Sequence, residues 1–274
     1  MNYKIIASDL DGTLLYDVAA VSEENYRAIA EYRKLGGQLV PTSGRCFYEI
    51  PEALRKCEDV RYYISSNGAV VTDTLTGELD EVLISNEKFL QAMSLTNEYD
   101  TYHTVHFEGY GYMLAKNDSK EVADYYNLNV YYYTHYHEKC RKLDAWDGVF
   151  DKGHGVEMLS VFFRSQAELD ECEKRLKALG GLHVTSSAAF NLEIVAVGAS
   201  KGDGVRRLAK KLGVPVEEMI GVGDSPNDIA LLDGVGLPLA VSNAHELLKE
   251  KAAKIICHHT EHIVRYILDN IIEE

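Results

Sequence analysis

The apolar run Tyr3-Lys4-Ile5-Ile6-Ala7-Ser8 ends directly on Asp9-Leu10-Asp11-Gly12-Thr13. A buried strand that stops on two carboxylates, two residues apart, leaves few ways to fold. Neither aspartate has a basic neighbour in the local sequence. Burying such a pair is costly unless a cation sits between them or one of them is protonated. The same plan then repeats. Gln38-Leu39-Val40-Pro41 runs into Thr42-Ser43-Gly44-Arg45, Tyr62-Tyr63-Ile64-Ser65 into Ser66-Asn67-Gly68, and Met219-Ile220-Gly221-Val222 into a polar turn over 223–228. Between the first two strands, residues 22–37 read as a helix capped by Ser22 and stopped by Gly36-Gly37. Strands alternating with helices predict a parallel sheet, and ligands of such sheets bind at the carboxyl ends of the strands. The four polar turns therefore belong along one edge.

From about Leu83 to Phe190 the texture changes. Most of the 18 tyrosines and the one tryptophan, Trp146, lie there. A hairpin turning at Thr76-Gly77 precedes this stretch. Within it a helix over 86–99 leads to alternating strands at 102–107 and 110–115, then a strand at 156–163. A helix follows with a capping box, Ser165-x-x-Glu168. The Tyr-rich segment 125–138 reads as a strand that packs its rings and wets its hydroxyls, or as an aromatic lid over a substrate. After Phe190 the strand–helix plan resumes, with Lys201 opening a helix. The expectation is an α/β protein. Core segments at 1–84 and 191–274 enclose an α+β insert at 85–190.

Composition narrows the partners. With 28 basic against 43 acidic residues and a net charge of −15, the chain gains nothing from counterion release on nucleic acid. Five widely spaced cysteines contain no C-x-x-C, so neither a disulfide framework nor a zinc knuckle is supported. The first strand begins within three residues of Met1 and no apolar stretch reaches the ~20 residues that span a bilayer. A soluble cytoplasmic protein, free of membrane, is expected.

Asp9, Asp11, Asp224 and Asp228 gather at the strand ends from opposite ends of the chain. A hard divalent cation answers their mutual repulsion, and oxygen ligation with retained waters suits Mg²⁺. Lys201 is the basic residue best placed by topology to join them. Metal, lysine and the Ser43 hydroxyl together suit a phosphoryl group. An aspartate can attack phosphorus and split one displacement into two, while a second carboxyl protonates the leaving alkoxide and later deprotonates water. Asp9 takes the first role and Asp11 the second.

The motifs Asp9-Leu10-Asp11-Gly12-Thr13-Leu14, Thr42-Ser43-Gly44-Arg45, Ser200-Lys201-Gly202-Asp203-Gly204-Val205 and residues 221–232 resemble, in order and topology, the haloacid dehalogenase superfamily, in its Cof-type branch with a large class IIB cap. The resemblance covers the core, about 170 residues, and implies a Rossmann-like parallel-sheet core with an inserted α+β cap domain. It implies Asp9 as nucleophile and metal ligand, Asp11 as acid/base with its backbone carbonyl on the metal, and Asp224 as third ligand. Ser43 and Lys201 bind the phosphoryl group in the family pattern, helped by Leu10, Gly44, Arg45 and Asn227, with Thr13 and Asp228 behind as orienting groups. The implied reaction is Mg²⁺-dependent phosphomonoester hydrolysis of small phosphorylated metabolites, sugar phosphates first. A phosphomutase, or a phosphometabolite-binding protein without turnover, is the alternative. Two departures stand out. Ser242-Asn243-Ala244 replaces Gly-Asn-Ala, and residues 258–264 replace an acidic loop ending in Gly-Val.

His103-x-x-His106, His135-x-His137 and His258-His259-x-x-His262 have the spacing of same-face ligand pairs. Each lies among tyrosines or surface residues and reads as packing or surface. Cys46, beside Arg45, reads as a small packed residue.

Overall fold

The computed structural model describes residues 2–17, 19–146, 150 and 153–272. Its chain divides into two compact units. One holds Met1–Arg45, Ile50–Glu81 and Ala199–Glu274, the other Cys46–Glu49 and Val82–Gly198.

The amino-terminal half of the chain builds β1 (Ile5–Ser8), α1 (Glu23–Lys34), β2 (Gln38–Pro41), α2 (Glu52–Arg55), β3 (Tyr62–Ser65), β4 (Val70–Asp73) and β5 (Leu79–Glu81). There follow α3 (Asn86–Thr96), β6 (Thr101–Phe107), β7 (Tyr110–Leu114), α4 (Lys120–Tyr125), α5 (Val130–Lys139) and β8 (Arg141–Leu143). The rest comprises β9 (Met158–Phe163), α6 (Gln166–Leu179), β10 (Leu182–Thr185), β11 (Asn191–Ala196), α7 (Lys201–Leu212), β12 (Met219–Gly223), α8 (Ile229–Leu232), β13 (Leu237–Ala240), α9 (Glu246–Lys249), β14 (Lys254–Ile255) and α10 (Ile263–Asn270).

In the first unit the sheet order is β14-β13-β12-β1-β2, every pair parallel. Its central strands are buried on both faces, which is why Ile5, Ile6, Val40, Ile220 and Val222 read as continuous apolar runs rather than alternating ones. Because all five strands point the same way, the turns after β1, β2 and β12 emerge at one edge, and a parallel bridge from Thr42 to Ile64 brings β3 alongside. Helices close the faces. Ser22 caps α1 by accepting from Asn25 N–H, and α10 buries Ile263, Val264, Ile267 and Leu268 beside it, tied by Arg265 to Glu31 at 2.6 Å. The expected hairpin turns between β4 and β5, which pair antiparallel.

The second unit is α+β, with sheet order β10-β11-β9-β6-β7-β8. Only β7 and β8 run parallel within it. Ser165 caps α6, whose Leu169, Cys172 and Leu176 form the buried stripe. The Tyr-rich segment departs from expectation: it is a helix, α5, not a strand. Asn129 accepts from Tyr132 N–H at 2.9 Å to cap it. Leu128, Tyr132, Tyr136 and Cys140, four apart, all face the cluster around Tyr102 and Phe162. Aromatic β-propensity yields to that packing. Among the described residues no helix is long and apolar enough to cross a membrane.

Candidate active site

Every residue the sequence nominates lies in the first unit, and most of them meet at the carboxyl edge of its parallel sheet. Asp9 is the first residue past β1; its N–H donates to Val222 O at 2.9 Å, so the sheet itself fixes the backbone there. The chain then winds wide. Leu14 N–H donates to Asp9 O at 3.2 Å and Leu15 N–H to Leu10 O at 2.9 Å, both spanning five residues, with Gly12 at φ +73°. A Cβ on Gly12 would lie 2.6 Å from Asp224 Oδ2, so only glycine lets the two loops approach.

Lys201 enters from the first turn of α7. Ser200 and Asp203 cap each other's backbone N–H there, which pins the helix start. Gly68 lets that start approach, since a Cβ on it would lie 2.1 Å from Ser200 O. The Lys201 ammonium, 1% exposed, donates to Asp9 Oδ1 at 2.7 Å and Asp228 Oδ1 at 2.6 Å, with Asn227 Oδ1 farther at 3.5 Å. Asp228 Oδ2 accepts from the N–H groups of Asp224 and Ser225, at 3.0 and 3.1 Å. Asp228 is thereby fully engaged and holds both Lys201 and the Asp224 loop. Thr13 Oγ1 donates to Asp224 Oδ1 at 3.5 Å.

Carboxylate oxygens of Asp9, Asp224 and Asp228 lie within 4.8 Å of one another. Burial pushes the Asp9 carboxyl well above the usual carboxylate range; Lys201 pulls it back, and Asp228, Asp224 and Asp11 push it further. Burial and then Asp228 push Asp224 up to about 7. Burial opposes the charge on Lys201, but Asp228 and Asp9 outweigh it and raise its pKa. Three carboxylates around one ammonium leave two formal negative charges, a deficit that one divalent cation balances with the oxygen ligands Mg²⁺ prefers. The residues present fit such an ion.

Asp11 stands apart from this group. Its carboxylate accepts from Arg45 Nε at 2.9 Å and from Nη2 at 2.6 Å, a bidentate pair with the arginine buried and the aspartate 39% exposed. Arg45 N–H in turn donates to Ser43 Oγ at 3.1 Å, linking the second motif to the first. Leu10 is wholly buried, and Gly44 is half-buried.

Two residues given no role in the sequence reading belong here. Asn67 Oδ1 accepts from Asn227 Nδ2 at 3.3 Å. Asn243 Nδ2 donates to Gly12 O at 2.8 Å while its Oδ1 accepts from His259 N–H at 3.1 Å. The turn 66–68 was already on the edge by topology, and Asn243 stood in the Ser242-Asn243-Ala244 departure; the tertiary contacts give it its place beside Gly12.

Residues 6–268 match the family described as haloacid dehalogenase-like hydrolase. The chain belongs to that family. Among relatives of these haloacid dehalogenase-like hydrolases, phosphatase YwpJ of Bacillus subtilis (strain 168) is 27% identical, the alignment covering 98% of this chain and 100% of that protein. The 5-amino-6-(5-phospho-D-ribitylamino)uracil phosphatase YwtE of the same organism is also 27% identical, over 98% of each chain. The solved structure of a haloacid dehalogenase-like hydrolase from B. subtilis superposes with a TM-score of 0.86 at 27% identity, covering 98% of this chain and 100% of that one. A subclass IIB sugar phosphatase of the superfamily shares the fold, with a TM-score of 0.78 at 18% identity, over 97% and 98% of the two chains. This haloacid dehalogenase-type enzyme is thus a phosphatase of the Cof-type branch.

The histidine pairs do not act as pairs. His103 is buried with Nε2 2.9 Å from Thr96 Oγ1. His137 Nδ1 meets Asp118 at 2.8 Å. His258, His259 and His262 turn to Thr260, Leu15 O and Ser22 in three separate hydrogen bonds.

Proposed function

We propose that this phosphatase hydrolyses phosphomonoesters of small metabolites through an aspartyl-phosphate on Asp9, with Mg²⁺ as its metal. The observation that carries the reading is the Asp9 carboxylate, fixed at a strand end with Oδ1 on the Lys201 ammonium at 2.7 Å. Oδ2 is the oxygen left to attack phosphorus, forming the acyl-phosphate bond as the ester P–O bond breaks. Asp11 protonates the departing alkoxide, then takes a proton from the water that attacks the acyl-phosphate and releases phosphate. The Arg45 fork fixes the direction of the Asp11 carboxylate. Ser43, Lys201, Arg45, Asn227 and the backbone of Leu10 and Gly44 hold phosphoryl oxygens, while Asp228 keeps Lys201 in place and Thr13 orients Asp224. Asp9, Asp224 and the Asp11 carbonyl would hold Mg²⁺, which supplies charge neutralisation for the phosphoryl oxygens.

Sugar phosphates lead as substrates. A relative named for a phosphorylated ribityl side chain supports a polyol phosphate among the first to try. The test is phosphate release from p-nitrophenyl phosphate and a panel of phosphorylated sugars, polyols, nucleotides and cofactors. It is run with Mg²⁺, with chelator, and with Asp9→Asn. Release that needs Mg²⁺ and disappears in Asp9→Asn is expected. Release that survives Asp9→Asn removes the covalent mechanism, and none at all in folded, metal-loaded protein removes the hydrolase reading in favour of a mutase or a binding protein.

A further inference from the structure

The second unit contains a buried cluster of metal-ligating side chains that phosphate chemistry does not use. Cys46 and Glu49 lie on one turn, three residues apart; His106 is on β6 and His135 on α5. All four are buried, with 0, 4, 3 and 8% exposure respectively. The ligating atoms of Cys46, Glu49 and His106 lie within 4.8 Å of one another. Glu49 Oε2 lies 3.8 Å from His106 Nε2 and 3.3 Å from His135 Nε2. In a tetrahedral zinc site, nitrogen, oxygen and sulfur ligands stand roughly 3.3–3.6 Å apart, the edge length that follows from their bond lengths. Each imidazole is already near that spacing from the carboxylate, while His135 lies outside the cluster that Cys46, Glu49 and His106 form.

A second observation points the same way. Gly111 is the cross-strand partner of His106, and a Cβ there would lie 2.1 Å from Glu49 Oε1 and 3.0 Å from Cys140 Sγ. The missing side chain makes the seat for the carboxylate. Cys140 donates its thiol hydrogen to Oε1 at 3.7 Å, which leaves Oε2 turned toward the histidines. Burial pushes the Cys46 and Cys140 thiols well above their ordinary pKa, so sulfur ligation there requires a metal to displace the proton.

We propose that Cys46 Sγ, a Glu49 carboxylate oxygen and a His106 ring nitrogen, with His135 Nε2 moving in from 3.3 Å off Glu49 Oε2 as fourth ligand, form a structural site for a borderline divalent metal ion, Zn²⁺ foremost, separate from the phosphatase centre. Mixed sulfur and imidazole ligation selects Zn²⁺ over Mg²⁺, whereas the all-oxygen aspartate cluster of the first unit suits Mg²⁺. One thiolate and one carboxylate balance the two charges of the ion, and its binding releases the Cys46 proton to solvent. The ion joins the Cys46–Glu49 turn to β6 and α5.

Metal analysis of the purified full chain, desalted into excess Mg²⁺, is expected to retain one equivalent of Zn²⁺. Titration of metal-free protein with Co²⁺ then reads the ligands directly. A thiolate-to-cobalt charge-transfer band with intense tetrahedral visible bands is expected, and the same bands in Asp224→Asn place the ion away from the aspartates. The charge-transfer band is lost in Cys46→Ala, and His106→Gln or His135→Gln weakens Co²⁺ binding roughly tenfold or more. A wild-type cobalt spectrum without sulfur charge transfer overturns the proposal, whatever the variants do. So does a band that persists in folded Cys46→Ala, or one that vanishes in folded Asp224→Asn.

Discussion

At the scale of single residues, the site is held by saturation. Lys201 is buried between Asp9 and Asp228, and neither carboxylate tolerates losing it. Lys201→Ala is expected to abolish phosphate release and to cost about 3–5 kcal/mol in urea unfolding of the metal-free protein, the scale for breaking a buried ion pair. Gly12→Ala combines a Cβ at positive φ with a contact 2.6 Å from Asp224 Oδ2. It should lower kcat and destabilise the fold by about 1–2 kcal/mol, because left-handed backbone is costly for alanine. Steady-state kinetics and denaturation of the same variant check both. Asp9, Lys201 and Asp224 were legible as a group because each follows a strand or opens a helix at a position the pattern marks. The engagement of Asp11 with Arg45 was not legible, since nothing in Thr-Ser-Gly-Arg says which way an arginine turns. Nor could the spacing of Cys46, Glu49, His106 and His135 reveal their meeting, because it takes one residue from each of two histidine pairs and a turn from a distant part of the chain.

Elements carry a pH dependence of their own. Burial lowers the pKa of His103, on β6, to about 4 from an ordinary 6.5. Above pH 6.5 neither folded nor unfolded chain protonates it, and its titration contributes nothing to stability. Between 6.5 and 4 the unfolded chain takes up the proton and the folded one does not, so stability falls as pH falls, by about 3 kcal/mol at the lower end. Thermal midpoints of wild type and His103→Gln measured from pH 7 to 4.5 should therefore converge as the wild type loses its advantage; parallel curves would refute this. The helices were readable where caps were explicit, as at Ser22, Ser165 and Ser200. Helix α5 is hidden by the β-propensity of its tyrosines, although Leu128, Tyr132, Tyr136 and Cys140 stand four apart. Its cap is testable too: Asn129→Ala should cost about 1 kcal/mol, read by urea unfolding.

For the whole molecule, metal binding is linked to folding. An ion bound to the aspartate cluster stabilises the native state by about 2.7 kcal/mol at a hundred times its Kd. Mg²⁺ is expected to raise the thermal midpoint of the wild type in proportion, with no rise in Asp224→Asn, and chelator to reverse it. In the parallel core, β1, β2 and β12 were legible because each ends on a polar, glycine-bearing turn, whereas β13 and β14 end on turns without glycine. The assignment of Cys46–Glu49 to the second unit was not, since the sequence offers no break between Arg45 and Cys46. That short segment changes what counts as a transplantable part. Exchanging the insert of one such phosphatase for that of another by splicing at 82 and 198 alone would strand the Cys46–Glu49 turn, with its buried thiol and carboxylate, against a foreign sheet. A graft of the insert must carry four residues from outside it, Cys46–Glu49, as part of the same folding piece.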